Sequence, residues 1–274
     1  MKKFTLLVLS LLLYQPLTAA SVDTVVIYSQ AMKRDIKCVV VKPDSYNNEK
    51  SYPTVYLLHG YSDSYSSWVT DIPVIKLLAD QYNMLLVCPD GGYDSWYFDS
   101  QVNKKSQYET HISQEVVSYI DTHYNTRAER KFRAITGLSM GGHGAFYIAL
   151  KYGDTFGAVG STSGGVNITP FASKWNIKGQ LGNIELNRQE WEKHSIINMV
   201  EEYPTDSLAI IFDCGTNDFF FKVNNELHQK MLKLKIPHDY IVRPGGHTLP
   251  YWQNSIAYQL LYFHKYFEEA NASN

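Results

Sequence analysis

The segment 135–150, ITGLSMGGHGAFYIAL, sets Ser139 among four glycines. Gly137-Leu138-Ser139-Met140-Gly141 fits the pattern G-x-S-x-G, in which a serine rides a sharp turn from a strand into a helix. The surroundings agree: KFRAITG before it reads as a strand and MGGHGAFYIALKYG after it as a helix. A Cβ at the flanking glycines would meet neighbouring backbone, and the serine itself must take a strained conformation. A serine hydroxyl is a weak nucleophile until a base removes its proton. The partners are expected in the chain order Ser…Asp…His, each just after a strand. IIFDCGTNDFF offers Asp218 and YIVRPGGHTLPYW offers His247 in those places. His247 would take the serine proton, and Asp218 would orient the imidazole and stabilise its charged form.

An attacked carbonyl becomes an oxyanion and needs preorganised donors. One is expected from the backbone N–H of Met140. The other is expected from Tyr61 in LLHGYSDSYSSW, where Gly60 permits a tight turn. Rival residues fit less well. Asp213 belongs to an apolar strand and reads as structural. His59 ends a strand near the site but precedes the serine in the chain. His143, one turn into the helix after Ser139, reads as a core position. The other histidines fall on helices or insertions.

Strands and helices must deliver these residues to one place. VDTVVIYS and RDIKCVVVKP are rich in β-branched residues and read as strands, and TVYLLHG and NMLLVCPDGG as strands buried on both faces. Helices are expected over about 68–81 and over 108–123, where Ile112, Val116, Tyr119 and Ile120 share a face and Glu109 stands near the favourable N-terminal end. Further strands are FGAVGSTSGG, SLAIIFDCG and HDYIVRPGG. FKVNNELHQKMLKLKI and YWQNSIAYQLLYFHKYF read as helices. The stretch of about 166–203 has weak periodicity and reads as an irregular insertion with short helices. Such alternation indicates a mainly parallel sheet covered on both faces, with its site at the carboxyl ends of the strands.

The 274 residues suit one α/β domain. Hydrophobic content of 45% and charged content of 19% describe a globular chain, and the net charge of −2 gives no electrostatic case for nucleic acid or anionic lipid. Residues 1–20 combine Lys2 and Lys3, a short apolar run and small residues before a cut after Ala20, the order of a secretory signal. The apolar run is too short to span a membrane. The mature domain is therefore expected to cover 21–274, in a periplasmic or extracellular space, with no membrane attachment after cleavage. Cys38, Cys88 and Cys214 lie in apolar strand-like runs and read as buried free thiols, with one disulfide allowed by the compartment. No Cys or His pair has metal-ligand spacing, so neither a metal nor another cofactor is expected.

The motifs LLHGYSDSYSSW, VCPDGGYDSWYFDS, GLSMGGHGA, CGTNDFF and PGGHTLPYW resemble, in order, those of the esterase D-like branch of the α/β-hydrolases. That branch includes S-formylglutathione hydrolases, tributyrin and acetyl esterases, bacterial feruloyl esterases and mycolyltransferases, and the similarity runs from about residue 25 to 267. The resemblance implies an α/β-hydrolase fold, the triad Ser139, Asp218 and His247, and an oxyanion hole at Tyr61 and Met140. Asn217 stands where many relatives carry Glu, but the acid is kept. Secreted members resembling this chain deacylate plant-polysaccharide esters, so acetyl or feruloyl esters of carbohydrates are the implied substrates. Alternatives are acyl transfer of the mycolyltransferase type and an S-formylglutathione hydrolase-like thioesterase, the latter disfavoured by the export signal. Aromatic residues placed to line an acyl or sugar cleft are Tyr61, Trp68, Trp96, Tyr97, Phe219 and Trp252, with 166–203 as lid or cleft wall.

Overall fold

The computed structural model describes residues 19–202 and 208–272. The leader expected over 1–20 therefore falls almost wholly outside the described residues, as does the last residue of the expected insertion.

The chain opens with β1 (Ser21–Ser29) and β2 (Arg34–Lys42), followed by β3 (Thr54–Leu58), α1 (Ser67–Asp71), α2 (Val74–Tyr82) and β4 (Leu85–Pro89). The helical stretch 108–123 comprises α3 (Tyr108–Thr110), a wider π-helical segment (His111–Val116) and α4 (Val117–His123). Next come β5 (Arg133–Gly137), α5 (Met140–Lys151) and β6 (Ala158–Thr162). The insertion holds a 3-10 turn (Thr169–Phe171) and the short helices α6 (Ile177–Leu181), α7 (Arg188–Lys193) and α8 (Ile196–Met199). The chain then forms β7 (Ala209–Gly215), α9 (Phe221–Leu234), β8 (Asp239–Arg243) and α10 (Leu249–Ala272).

The eight strands make one sheet in the order β1-β2-β4-β3-β5-β6-β7-β8. β1, β2 and β4 pair antiparallel, and every pairing from β4 through β3 to β8 is parallel. The central strands β3, β4, β5 and β6 are buried along their whole length. Their unbroken apolar runs follow from helices on both faces. Alternate residues face opposite layers. Tyr56 and Leu58 join the cluster formed with α5, α9, the 108–123 helix and the insertion. Val55 and Leu57 join the cluster formed with α1, α2 and α10.

Two expected helices differ in detail. The helix read over 68–81 is broken into α1 and α2, because Pro73 lacks an N–H and serves instead as the N-cap of α2. In the second, which passes through a π-helical segment, Glu109 stands in the first turn as expected. It is buried and accepts hydrogen bonds from the hydroxyls of Tyr147 at 2.8 Å and Tyr152 at 2.9 Å. All three cysteines are buried and free.

Where β5 meets α5, packing leaves no room for side chains. A Cβ on Gly137 would stand 2.5 Å from the carbonyl of Gly141 and 2.6 Å from that of Leu58. Gly137→Ala is therefore expected to cost about 1–3 kcal/mol through backbone displacement, a fall in Tm of roughly 2–12 °C. Gly153→Ala is the control. The nearest atom to its added Cβ would be 4.0 Å away, so its Tm should stay within about 2 °C of the parent.

Candidate active site

Ser139 lies between β5 and α5 with φ 55° and ψ −116°. A positive φ of this kind costs a non-glycine residue about 1–3 kcal/mol and persists only where surroundings dictate it. Here the Ser139 N–H donates to the carbonyl of Thr162, at the end of β6, at 2.9 Å. The Ser139 carbonyl accepts from the N–H of His143 at 3.1 Å. The turn thus spends its polar groups on neighbours and leaves the hydroxyl to project at the start of α5, where the helix dipole is positive.

Asp218 follows β7 and His247 follows β8, and both reach the serine. His247 Nε2 stands 2.8 Å from Ser139 Oγ, and its Nδ1 stands 2.9 Å from Asp218 Oδ2 and 3.1 Å from Oδ1. The carboxylate is buried, and Oδ1 also accepts the N–H of Phe220 at 2.8 Å. With Nδ1–H donated to Asp218, Nε2 is left as the acceptor for the serine hydroxyl. That tautomer can take a proton from Ser139. The residues 215–218 and 243–247 are locked together, since Asn217 N–H donates to the Gly245 carbonyl at 2.8 Å and Thr216 N–H to that of Arg243 at 3.0 Å.

The other buried ionisable groups have structural partners. His59 Nδ1 donates to the Gly60 carbonyl and Nε2 accepts the Gly91 N–H, both at 2.8 Å. Burial lowers its pKa and keeps it neutral. His143 Nδ1 donates to the Gly165 carbonyl at 2.9 Å, and complete burial pushes its pKa down to about 3. Asp213 accepts from Thr162, Ser255, Gln259 and Arg243. Its pKa is raised by burial, against the lowering effect of those donors. Among the described residues no group of three or more His, Cys, Asp or Glu is arranged to hold a metal ion, and no helix is long and apolar enough to cross a membrane.

Tyr61 and Met140 supply backbone N–H groups without an acceptor among the described residues. Gly60 brings the loop after β3 close to the serine, because a Cβ there would lie 3.7 Å from Ser139 Cβ. Of the aromatic residues expected at a cleft, Phe219 is half exposed and its ring lies 4.2 Å from that of His247. Trp252 meets the same imidazole edge-on at 5.0 Å. Trp68 and Trp252 line a cavity of about 230 Å³ beside the site, together with His59, Asp63, Leu138 and Leu249.

Trp96 and Tyr97 depart from the expectation of a cleft lining. Trp96 is 1% exposed and donates its indole N–H to the Trp175 carbonyl at 3.1 Å, propping the insertion from beneath. Tyr97 is fully buried, wedged where Gly91 and Gly144 lack side chains, and its hydroxyl donates to the His59 carbonyl at 3.0 Å. Trp175, not singled out in the sequence, stacks on Phe219 at 5.3 Å and packs against Phe171 and Phe220. An aromatic wall therefore runs from the insertion to His247. Two tryptophans, Trp175 and Trp191, in an otherwise aperiodic stretch were the one sequence signal.

The chain is similar to known esterases. Residues 29–263 match the model of a family described as putative esterase. An acetyl esterase of Caldicellulosiruptor saccharolyticus is 24% identical over 250 residues, covering 84% of this chain and 93% of the relative. An S-formylglutathione hydrolase of Bos taurus is 23% identical over 263 residues, covering 87% and 91%. The solved structure of a ferulic acid esterase superposes with a TM-score of 0.79 at 29% identity, covering 90% of this chain and 98% of that one.

The low pKa of His143 has a measurable consequence. In the folded protein it stays neutral down to about pH 3, whereas in the unfolded chain it takes a proton below about pH 6.5. The unfolded state then binds more protons, so this group makes stability fall as pH drops from about 6.5 toward 3, by up to about 1.4 kcal/mol per pH unit. Urea unfolding of His143→Leu should show a constant offset above pH 7 and a shallower loss between pH 6 and 4 than the parent. Parallel curves across that window would contradict a neutral buried imidazole.

Proposed function

The chain belongs to this esterase family, and on that premise we propose that it is a serine carboxylesterase working through an acyl-enzyme on Ser139. The observation that carries the reading is the continuous chain of hydrogen bonds from Asp218 through His247 to Ser139, at 2.9 and 2.8 Å. Ser139 Oγ attacks the ester carbonyl as His247 Nε2 takes its proton. The oxyanion forms against the N–H groups of Tyr61 and Met140, worth about 2.7–4 kcal/mol for each donor in a comparable site. Collapse expels the alcohol, which receives the proton from His247, and water then releases the acid by the same steps in reverse. Asp218 holds the ring and faces the imidazolium while it lasts.

The reading extends to acetyl or feruloyl esters of carbohydrates. Similarity to proteins named acetyl esterase and ferulic acid esterase supports it, and the wall of Phe219 and Trp175 suits an apolar or aryl acyl group. Trp252, partly exposed on the cavity beside the serine, suits a sugar ring on the alcohol side, whereas Trp68 is 2% exposed and belongs to the core. Export through the leader at 1–20 would bring the enzyme to such substrates.

Turnover of p-nitrophenyl acetate tests the chemistry: Ser139→Ala should lose it on the order of 10⁶-fold, the scale of nucleophile removal in a serine protease. Undiminished turnover in that variant would refute the reading. Methyl ferulate and acetylated xylan, assayed beside p-nitrophenyl esters of rising chain length, test the substrate class. Free acid as sole product in the presence of a sugar acceptor distinguishes hydrolysis from acyl transfer.

A further inference from the structure

The geometry points to Asp213 as a positioning residue for the esterase reaction: its buried carboxylate gathers the roots of the three loops that carry Ser139, Asp218 and His247. The inference rests on the proposed reading of the site. Asp213 lies inside β7, between apolar neighbours, and is 1% exposed. A strand residue serving only the core would be apolar, as Ile211 and Phe212 are. Placing a carboxylate there is costly unless its oxygens are satisfied, and here each oxygen has two donors. Oδ1 accepts from Ser255 Oγ at 2.7 Å and Arg243 Nη2 at 3.3 Å. Oδ2 accepts from Gln259 Nε2 at 2.7 Å and Thr162 Oγ1 at 3.0 Å.

Each donor leads to one part of the site. The carbonyl of Thr162 takes the N–H of Ser139 at 2.9 Å, so the hydroxyl of Thr162 ties the serine turn to Asp213. The carbonyl of Arg243 takes the N–H of Thr216 at 3.0 Å, at the entry to the Asp218 loop. The Arg243 guanidinium is itself held over the rings of Tyr251 and Tyr258, at 5.2 and 4.4 Å. Ser255 and Gln259 stand on α10, the helix that begins two residues after His247. The backbone of Asp213 adds a further tie, its carbonyl accepting the N–H of Ser163 at 2.8 Å. A buried carboxylate whose two oxygens are each met by two donors restrains the groups it joins. It fixes the ends of β6, β7 and β8 and the start of α10 relative to one another.

Asp213→Asn puts an amide N–H₂ against a pair of donors and loosens one root without touching the reacting groups. A misplacement of about 1 Å costs about 10²-fold in rate. The parent and variant are compared by titration with a p-nitrophenyl alkylphosphonate. Ser139 Oγ bonds to phosphorus as p-nitrophenolate leaves, so the released colour counts reactive sites. For Asp213→Asn we expect every folded molecule to be labelled, kcat per titrated site on p-nitrophenyl acetate to fall about 10–100-fold, and KM to change less than about twofold. Adding Gln259→Glu returns a carboxylate to the cluster with the roles exchanged, and should recover most of the lost kcat. A residue that merely supports folding would instead give fewer reactive sites, each turning over at the parent rate, and that result overturns the inference. Should Asp213→Asn fail to fold, Ser255→Ala removes a single donor. It should lower kcat per site severalfold, and an unchanged rate would count against Asp213. Parent protein that neither turns over the ester nor takes the phosphonate sinks the esterase reading itself. A labelled, active parent with unaffected variants sinks only the role of Asp213.

Discussion

The first turn of α5 crosses the end of β3 so closely that a Cβ on Gly141 would stand 2.2 Å from the carbonyl oxygen of Leu58. That crossing allows the chain to leave β5 and enter a helix within a residue or two, and it forces Ser139 into its left-handed backbone. The strain is local, but the means of holding it are not. The serine N–H is taken up by Thr162 on the neighbouring strand, and Leu138 N–H donates to the Leu58 carbonyl at 3.2 Å. A turn pinned on both sides by parallel strands cannot relax without breaking the sheet register that buries the core. The stability of the sheet is in this sense the source of the geometry at the serine.

The electrostatics divide the histidines by the same logic. His59 and His143 are buried with one ring nitrogen donating to a carbonyl and no carboxylate in contact, so desolvation lowers both pKa values. His247 differs in having a carboxylate on Nδ1, and aromatic rings also pack about it. Phe219 lies nearest, at 4.2 Å and tilted 35°, and Trp252 meets it edge-on. A ring so placed keeps its orientation through the aromatic packing, and its charged form would be offset by Asp218 and by the face of Phe219. Of these three histidines, His247 alone combines a stable tautomer with a partner for positive charge.

The glycine spacing around Ser139, the strand–turn positions of Asp218 and His247, and the alternation of apolar strands with helices were legible in the sequence because each is a local pattern with a single steric or periodic cause. Break points were less so: Pro73 reads as a possible helix interruption only once the two segments it separates are seen to pack on the same face. Exposure in loops was read least well. Trp96 and Tyr97 follow a turn and look like cleft residues, yet Gly91 and Gly144 leave space that the Tyr97 ring fills, and consecutive positive φ angles of 54° and 61° turn both side chains inward. Trp175 failed in the opposite sense. Its partner Phe219 lies 44 residues away in sequence (219 − 175) and its own segment lacks periodicity, so no local signal connects them.

The loop after β3 shows why a buried polar residue can serve a site without reacting. His59 bridges two loops, donating to Gly60 and accepting from Gly91 at the end of β4. The Tyr97 hydroxyl holds the His59 carbonyl, and Ser62 N–H donates to the Tyr93 carbonyl at 2.8 Å. The backbone on both sides of Tyr61 is thereby fixed, while the Tyr61 N–H has no acceptor among the described residues. Protonating His59 would replace the acceptor for Gly91 N–H with a donor and separate the loops, so the depression of its pKa by burial matters to the geometry as well as to the charge. In the proposed reaction a donor held in place this way would meet the developing oxyanion without reorganising, the condition under which such a hydrogen bond lowers a barrier. The neutral histidine thus serves the proposed reaction through the backbone it holds and not through any proton it carries.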